Sequence, residues 1–269
     1  MTTRGQNKKK VRQESGTYSM DLEAKLHRAV TSKNLPWVQD LIDWKVNVNT
    51  LNAKKNTPLH MASYFGCVEI AKILLDNGAF VDARTVEGQT ALHFASQKGH
   101  LEIVKLIIAK GAEIDEKQEN KEGKTPLLIA AKFGNTEIVT FLLENAANVD
   151  ATDVKEWTAL HYAAFYGHHE IANVLINYEA KVNDIESGFA PIHFAVNQGH
   201  KKLVEILIKN GANLRLKNSN RETPLGVALR NGNQEIANFI NSSKDASHKI
   251  SDKISVMFKP LKRSMTFAK

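Results

Sequence analysis

Apolar side chains along most of this chain fall into pairs of short stripes, and the pairs recur about every 33 residues. Thr57, Thr90, Thr125, Thr158 and Thr223 open matching segments, with Ala190 in the equivalent place, at successive gaps of 33, 35, 33, 32 and 33 residues. The segment from Thr57 reads TPLHMASYFGCVEIAKILLDNGA and the one from Thr90 reads TALHFASQKGHLEIVKLIIAKGA. Each predicts two short helices joined by a turn. Thr is a natural N-cap, and Pro at the next position suits the first helical turn. The glycines at 66, 99, 134, 167, 199 and 232 end the first helix, where a left-handed residue is needed. The second helix is amphipathic: Ile103, Leu106 and Ile107 are expected on one stripe, with Glu102 and Lys105 off it.

Helices of about 8–10 residues are marginal alone, and one pair cannot close a core by itself. Stacking neighbouring pairs supplies the missing surface, which predicts a solenoid. The Thr-Pro-Leu-His opening, the Gly-His turn and the Gly-Ala close resemble the ankyrin repeat, over residues 56–242 in six registered copies. The fold this implies is an all-α ankyrin-repeat solenoid of helix-turn-helix units with β-hairpin-like fingers. A weaker seventh unit precedes them, with LHRAV at 26–30, VQDLID at 38–43 and VNVN at 46–49. Glu23, Lys25 and Arg28 there, and Gln234, Glu235 and Asn238 at the other end, predict two solvated caps. The expected organisation is a basic, disordered tail over 1–20, a repeat domain over 21–242, and a basic, partly amphipathic tail over 243–269. The repeats are placed at 21–55, 56–88, 89–123, 124–156, 157–188, 189–221 and 222–242.

Two departures from the pattern stand out. Ala146 and Glu179 replace the glycine that closes the second helix elsewhere, so both are expected in a strained left-handed conformation. The gap of 35 puts two extra residues into EIDEKQENKEGK, residues 113–124, predicting a longer, charged finger.

Composition narrows the function classes. The 269 residues are 42% hydrophobic, which supports a folded body. The single cysteine, Cys67, rules out an internal disulfide framework and fits a reducing compartment. Without an apolar run of about 18 residues or a signal-like start, the expectation is an intracellular chain, cytoplasmic and/or nuclear. The net charge of +7 belongs to the ends. Residues 1–20 carry five Lys/Arg against Glu14, a net +4, and residues 243–269 carry seven against Asp245 and Asp252, a net +5. That leaves −2 for residues 21–242, so no nucleic-acid contact by the repeat body is expected.

Several clusters imitate chemistry. His60, His93, His161 and His193 sit one or more stacked units apart, too far to share a zinc ion. The resemblance implies instead that they tie adjacent repeats by hydrogen bonds. His168-His169-Glu170 lacks the second ligand of a metalloprotease helix, with Asn173 in its place. Gly123-Lys124-Thr125 imitates the end of a phosphate-binding loop, but position 118 is Gln where that motif needs Gly. Cys67 leads a helix without a histidine or acid placed by motif, and reads as structural. No catalytic residue, metal or cofactor is expected; the chain reads as a non-enzyme.

In proteins that this chain resembles, partners bind the fingers and the exposed ends of the first helices, along a concave wall. Carried onto this sequence, those positions include Tyr64, Phe65, Phe133, Trp157, Phe165, Tyr166 and Phe189. Seven aromatics at nominally exposed positions suggest a protein-binding surface, because Trp and Tyr dominate interface hot spots. The competing reading is that those before a glycine pack under the neighbouring finger. In the ends, Lys8, Lys9, Lys10 and Arg12 form a candidate nuclear-import cluster. Ile250, Ile254, Phe258, Leu261 and Met265 approximate a helical stripe beside lysines, so residues 249–263 could make weak contact with an anionic membrane. Ser264 is a candidate phosphosite. The resulting expectation is a monomeric, non-catalytic adaptor or scaffold for an unidentified protein partner. The alternatives are a nuclear regulator masking a transcription factor or kinase, a membrane-associated module anchored by its C-terminal segment, or the repeat part of a larger protein or toxin.

Overall fold

A computed structural model describes residues 22–243 of the chain. The basic cluster at Lys8–Arg12, the segment 249–263 and Ser264 all lie outside the described residues. Two compact units divide the chain, one ending at Lys181 and one starting at Val182. The first holds α1 (22–31), α2 (Leu35–Asp43), α3 (Pro58–Phe65), α4 (Val68–Asp76) and α5 (Ala91–Lys98). It continues with α6 (Leu101–Ala109), α7 (Pro126–Phe133), α8 (Thr136–Glu144), α9 (Ala159–Tyr166) and α10 (His169–Asn177). The second holds α11 (Pro191–Asn197), α12 (Lys201–Lys209), α13 (Pro224–Arg230) and α14 (234–243). Among the described residues there is no strand.

Inside the first unit the odd-numbered helices α3, α5, α7 and α9 stack in sequence, and α2, α4, α6, α8 and α10 stack beside them. The helices α3, α5, α7 and α9 each start on a threonine, and the hydroxyl accepts a backbone N–H of the first turn in three of them, from His60, Leu128 and His161 in α3, α7 and α9. Each ends on a left-handed glycine, at φ 74° to 80° for Gly66, Gly99, Gly134 and Gly167. The apolar stripe of α6 differs from expectation by one position: Ile103, Val104 and Ile107 are buried, whereas Leu106 is half-exposed. A second helix packs on its own first helix as well as on both neighbours, so its buried arc includes position 104. In the second unit, Ile192, Val196, Leu203, Val204 and Leu207 form the core with Val227, Ile236 and Ile240. Gln234, Glu235 and Asn238 are exposed, as a cap requires.

Two ladders of polar contacts link successive pairs. In the first, the N–H of Thr57 donates to His60 Nδ1 (3.0 Å) while His60 Nε2 lies 3.1 Å from the Gln89 carbonyl, one finger on. His93 repeats this between Thr90 (3.1 Å) and the Lys124 carbonyl (3.1 Å). In the second unit His193 connects the Ala190 N–H (3.2 Å) to the Leu216 carbonyl (3.2 Å). With an N–H donor on Nδ1 and a carbonyl at Nε2, each ring is a neutral bridge whose two nitrogens are committed. In the second ladder, Asp82, Asp115 and Asp150 accept backbone N–H groups from Glu113, Asn148 and Lys181, about one repeat later. Asn49 and Asn183 do the same for Phe80 and Asn213.

Ala146 and Glu179 are left-handed, at φ 66° and 65°, where Gly78, Gly111 and Gly211 occupy the equivalent turns. A side chain in this region costs about 1–2 kcal/mol, partly offset by the freedom a glycine loses on folding. Glu179→Gly is therefore expected to raise the melting temperature, by an amount corresponding to about 0.5–1 kcal/mol. A thermal scan of the two proteins checks it; an unchanged or lower midpoint would contradict the strain.

Four of the fingers are turns closed by one hairpin-type bond each. Asn52, Thr85, Asp153 and Asn218 donate their N–H to the carbonyls of Asn56, Gln89, Trp157 and Glu222, and their side chains accept two N–H groups from within the turn. In the finger over 113–124 the same bond runs from Gln118 to Lys124, so the two extra residues lie inside the loop. Arg84 reaches across to Glu116 (2.5 Å) and Glu119, fastening the longer finger to its neighbour.

Candidate protein-binding site

Two clefts of about 350 Å³ open between fingers and first helices, both inside the first unit. In the first, the finger with Lys54 and Asn56 faces the one with Val86 and Glu87 across His60, Met61, Tyr64 and Phe94. In the second, Lys121, Glu122 and Lys124 face Val154, Lys155 and Trp157 across Lys132 of α7 and Tyr162, Phe165 and Tyr166 of α9. The two are built at the same repeat positions, so they are variants of one site.

The second cleft is a packed aromatic group on a polar foundation. Trp157 lies 5.2 Å from Tyr162 and 5.5 Å from Phe165 between ring centroids, and Phe165 meets Tyr166 edge-on at 5.0 Å. Tyr162 donates its hydroxyl to Asp153 Oδ2 at 2.6 Å, while Asp153 Oδ1 takes the N–H groups of Lys155 and Trp157. Asp153 is 4% exposed and Lys124 3% exposed. Lys124 Nζ pairs with Glu122 at 2.6 Å and lies 5.6 Å from the Tyr162 ring. A buried ammonium is tolerated only when paired in this way. Burial, with Asp153 beside it, pushes the Tyr162 hydroxyl well above its usual range, so it stays a neutral donor. The hydrogen bond from Lys124 holds Glu122 below the usual carboxylate range, with Lys132 and Lys155 adding at longer range. Trp157 thus sits on a finger whose position is set by Asp153 and Tyr162.

The seven aromatics expected at the surface divide. Tyr64, Phe133 and Tyr166 are exposed, at 39%, 47% and 43%. Phe65, Trp157, Phe165 and Phe189 are only half-exposed, because each packs a face against a neighbouring ring. One face of each of these four rings packs on a neighbouring ring, and the other stays at the surface. Trp157, Phe165 and Tyr166 come together in the second cleft, and Tyr64 lines the first with Lys98 Nζ 4.3 Å over its ring. Phe133 carries Lys132 at 5.6 Å. Phe189 belongs to the second unit, 5.5 Å from Phe194. Sequence reasoning missed Asp153, Tyr162 and Lys124 as the foundation of the cleft. Asp153 had a legible signal, since it holds the turn position of Asn52, Thr85 and Asn218.

The imitations of chemistry resolve into structure. Thr125 caps α7, Lys124 is paired, and the neighbouring Gly123 turns the finger at φ 61°. Burial raises the Cys67 thiol above its ordinary value, which favours the thiol over the reactive thiolate. Among the described residues no three His, Cys, Asp or Glu side chains are grouped to hold a metal ion. No described helix is long and apolar enough to cross a membrane.

Comparison with known proteins agrees with this architecture. The family described as Ankyrin repeats (3 copies) matches residues 26–118, 114–186 and 177–252, so the chain belongs to the ankyrin repeat family. Ankyrin repeat domains generally mediate protein–protein interaction, and the fold is typically non-catalytic. The ankyrin repeat domain of human ASB11 superposes with a TM-score of 0.71 at 30% identity, over 76% of this chain and 90% of that one. Ankyrin repeat and SOCS box protein 3 of Homo sapiens is 35% identical over 80 residues, 28% of this chain. Transient receptor potential cation channel subfamily A member 1 of Homo sapiens is 32% identical over 176 residues, 65% of this chain. The matches span only 15% and 13% of those two proteins.

Proposed function

We propose that this chain is a non-catalytic adaptor or scaffold that holds a protein partner on its fingers and first helices, centred on Trp157, Phe165 and Tyr166. The observation that carries this is the second cleft. There, the buried Asp153–Tyr162 hydrogen bond and the Trp157 N–H on Asp153 position Trp157; Phe165 and Tyr166 pack ring on ring beside it, and all three keep part of their surface open. Aromatics that are already ordered lose little entropy on binding and make strong anchors. Tyr64, Phe65, Phe133 and Phe189 extend the same reading to the other repeats. The chain works as a monomer, in the cytoplasm and/or nucleus, without a cofactor.

The test is quantitative affinity purification from the cells that make the protein, comparing the native chain with Phe165→Ala/Tyr166→Ala. The variant should keep its helical circular dichroism and lose its main partner, with affinity down by about 100-fold or more. A folded variant with undiminished partner affinity would sink the assignment. A second reading, a nuclear regulator that masks a transcription factor or kinase, is favoured by the Lys8, Lys9, Lys10 and Arg12 cluster. Deleting residues 8–12 should then abolish nuclear localisation.

A further inference from the structure

The two clefts share their construction and size but differ in charge. In the first, Lys54 and Glu87 balance. In the second, Lys155 stands where Glu87 does and Lys132 stands where Tyr64 does, and Lys121 is added by the longer finger. The lining carries four lysines against Glu122 and Asp153. Neither carboxylate pairs directly with the remaining lysines: Glu122 pairs with Lys124 and feels Lys132 and Lys155 only at longer range, and Asp153 is taken by Tyr162 and two backbone N–H groups. Lys121, Lys132 and Lys155 enter no ion pair among the described residues. Lys121 and Lys155 are exposed and Lys132 is half-exposed.

We infer that the second cleft takes an acidic peptide segment of the partner, with one apolar side chain seated among Trp157, Phe165 and Tyr166 and flanking carboxylates on Lys121, Lys132 and Lys155. This rests on the protein-binding reading above and adds the chemistry of the occupant. A volume of about 350 Å³ is at the small end for ligand pockets and suits one anchoring side chain. The unbalanced ammoniums at the rim supply the charge complementarity. This chain's own ends are excluded as occupants by sign, since residues 1–20 and 243–269 are both strongly basic. A nucleic acid would need a continuous positive face, and residues 21–242 carry a net −2.

Selection of phage-displayed random dodecapeptides on the full chain tests this. Three baits are used: the native protein, Phe165→Ala/Tyr166→Ala, and Lys121→Glu/Lys132→Glu/Lys155→Glu, each confirmed folded by circular dichroism. Peptides enriched on the native protein should share one large apolar residue flanked by two or more Asp or Glu. Synthetic versions should lose roughly 10- to 100-fold affinity on the charge-reversed chain and weaken with added salt. Enriched peptides that are neutral or basic, or acidic peptides that bind the reversed chain equally well, would overturn the inference. So would the absence of any peptide preferring the native protein to the reversed one. If such peptides still depend on Phe165 and Tyr166, the binding surface stands and only its acidic preference falls. If binding survives the aromatic variant, the reading of the surface itself fails.

Discussion

The unfolding free energy of this protein should fall by several kcal/mol as the pH is lowered from 6.5 to 4. Burial holds the imidazoles of His60 and His93 down at about 4, against an ordinary value of 6.5, and both side chains are almost fully enclosed. Each is a bridge that works only while neutral, because Nδ1 must accept the N–H of Thr57 or Thr90. The depressed value means that the unfolded chain binds protons more tightly than the folded one between these two pH values. The stabilisation is therefore complete above pH 6.5 and is lost as the pH falls toward 4. At pH 4 the loss is about 3 kcal/mol for each of the two, an order-of-magnitude figure set against a total stability of roughly 5–15 kcal/mol. Burial also lowers His27 and His193, which adds in the same direction. Urea unfolding at half-unit steps of pH checks this, with the midpoint expected to fall steeply below 6.5. His93→Gln should start less stable but show a shallower pH slope. A midpoint that is flat from pH 6.5 to 4.5 would contradict neutral histidine bridges.

Gly88→Ala should destabilise by about 2–4 kcal/mol, whereas Gly78→Ala costs about 1 kcal/mol or less. Both glycines are left-handed, at φ 68° and 84°, so both substitutions carry the same kind of backbone strain. Their surroundings differ. A Cβ on Gly78 meets nothing within 4 Å, but one on Gly88 would lie 2.3 Å from the Glu119 backbone nitrogen and 2.5 Å from its Cβ. Backbone cannot step aside as a side-chain end can. The equivalent finger positions hold Lys55, Glu156 and Arg221 at φ 56° to 60°, so the site tolerates a side chain wherever no neighbouring loop crosses it. Gly88 is demanded by the longer finger over 113–124. Thermal or urea denaturation of the two variants decides it: equal losses would mean that the longer finger does not rest on Gly88.

How much of this was legible in the sequence depended on the range of the interaction. Helix pairs, caps and left-handed turns are local, and Thr57, Gly66 and Glu179 announced them by residue type. The extra length of the finger over 113–124 was equally plain in the spacing. The foundation of the second cleft was not. Asp153 meets Tyr162 from a separate element, and Lys124 reaches that ring only after two fingers are side by side. Exposure failed for a related reason. Phe65, Trp157 and Phe165 occupy surface positions by register, but ring-on-ring packing covers one face of each, which no single-position rule anticipates. Val104 was missed on α6 because a helix stacked between two neighbours buries a wider arc than one packed on a single partner.

The most direct test of the central claim, that the aromatic cleft is where a protein partner sits, is site-specific photocrosslinking in the cells that make the chain. p-Benzoylphenylalanine is introduced in place of Tyr166, on the cleft, or in place of Phe80, which is 68% exposed and lines neither cleft. Irradiation should give a discrete covalent complex from position 166, abolished by adding Phe165→Ala, and no such complex from position 80. A chain that crosslinks equally from both positions, or from 80 alone, would contradict the account.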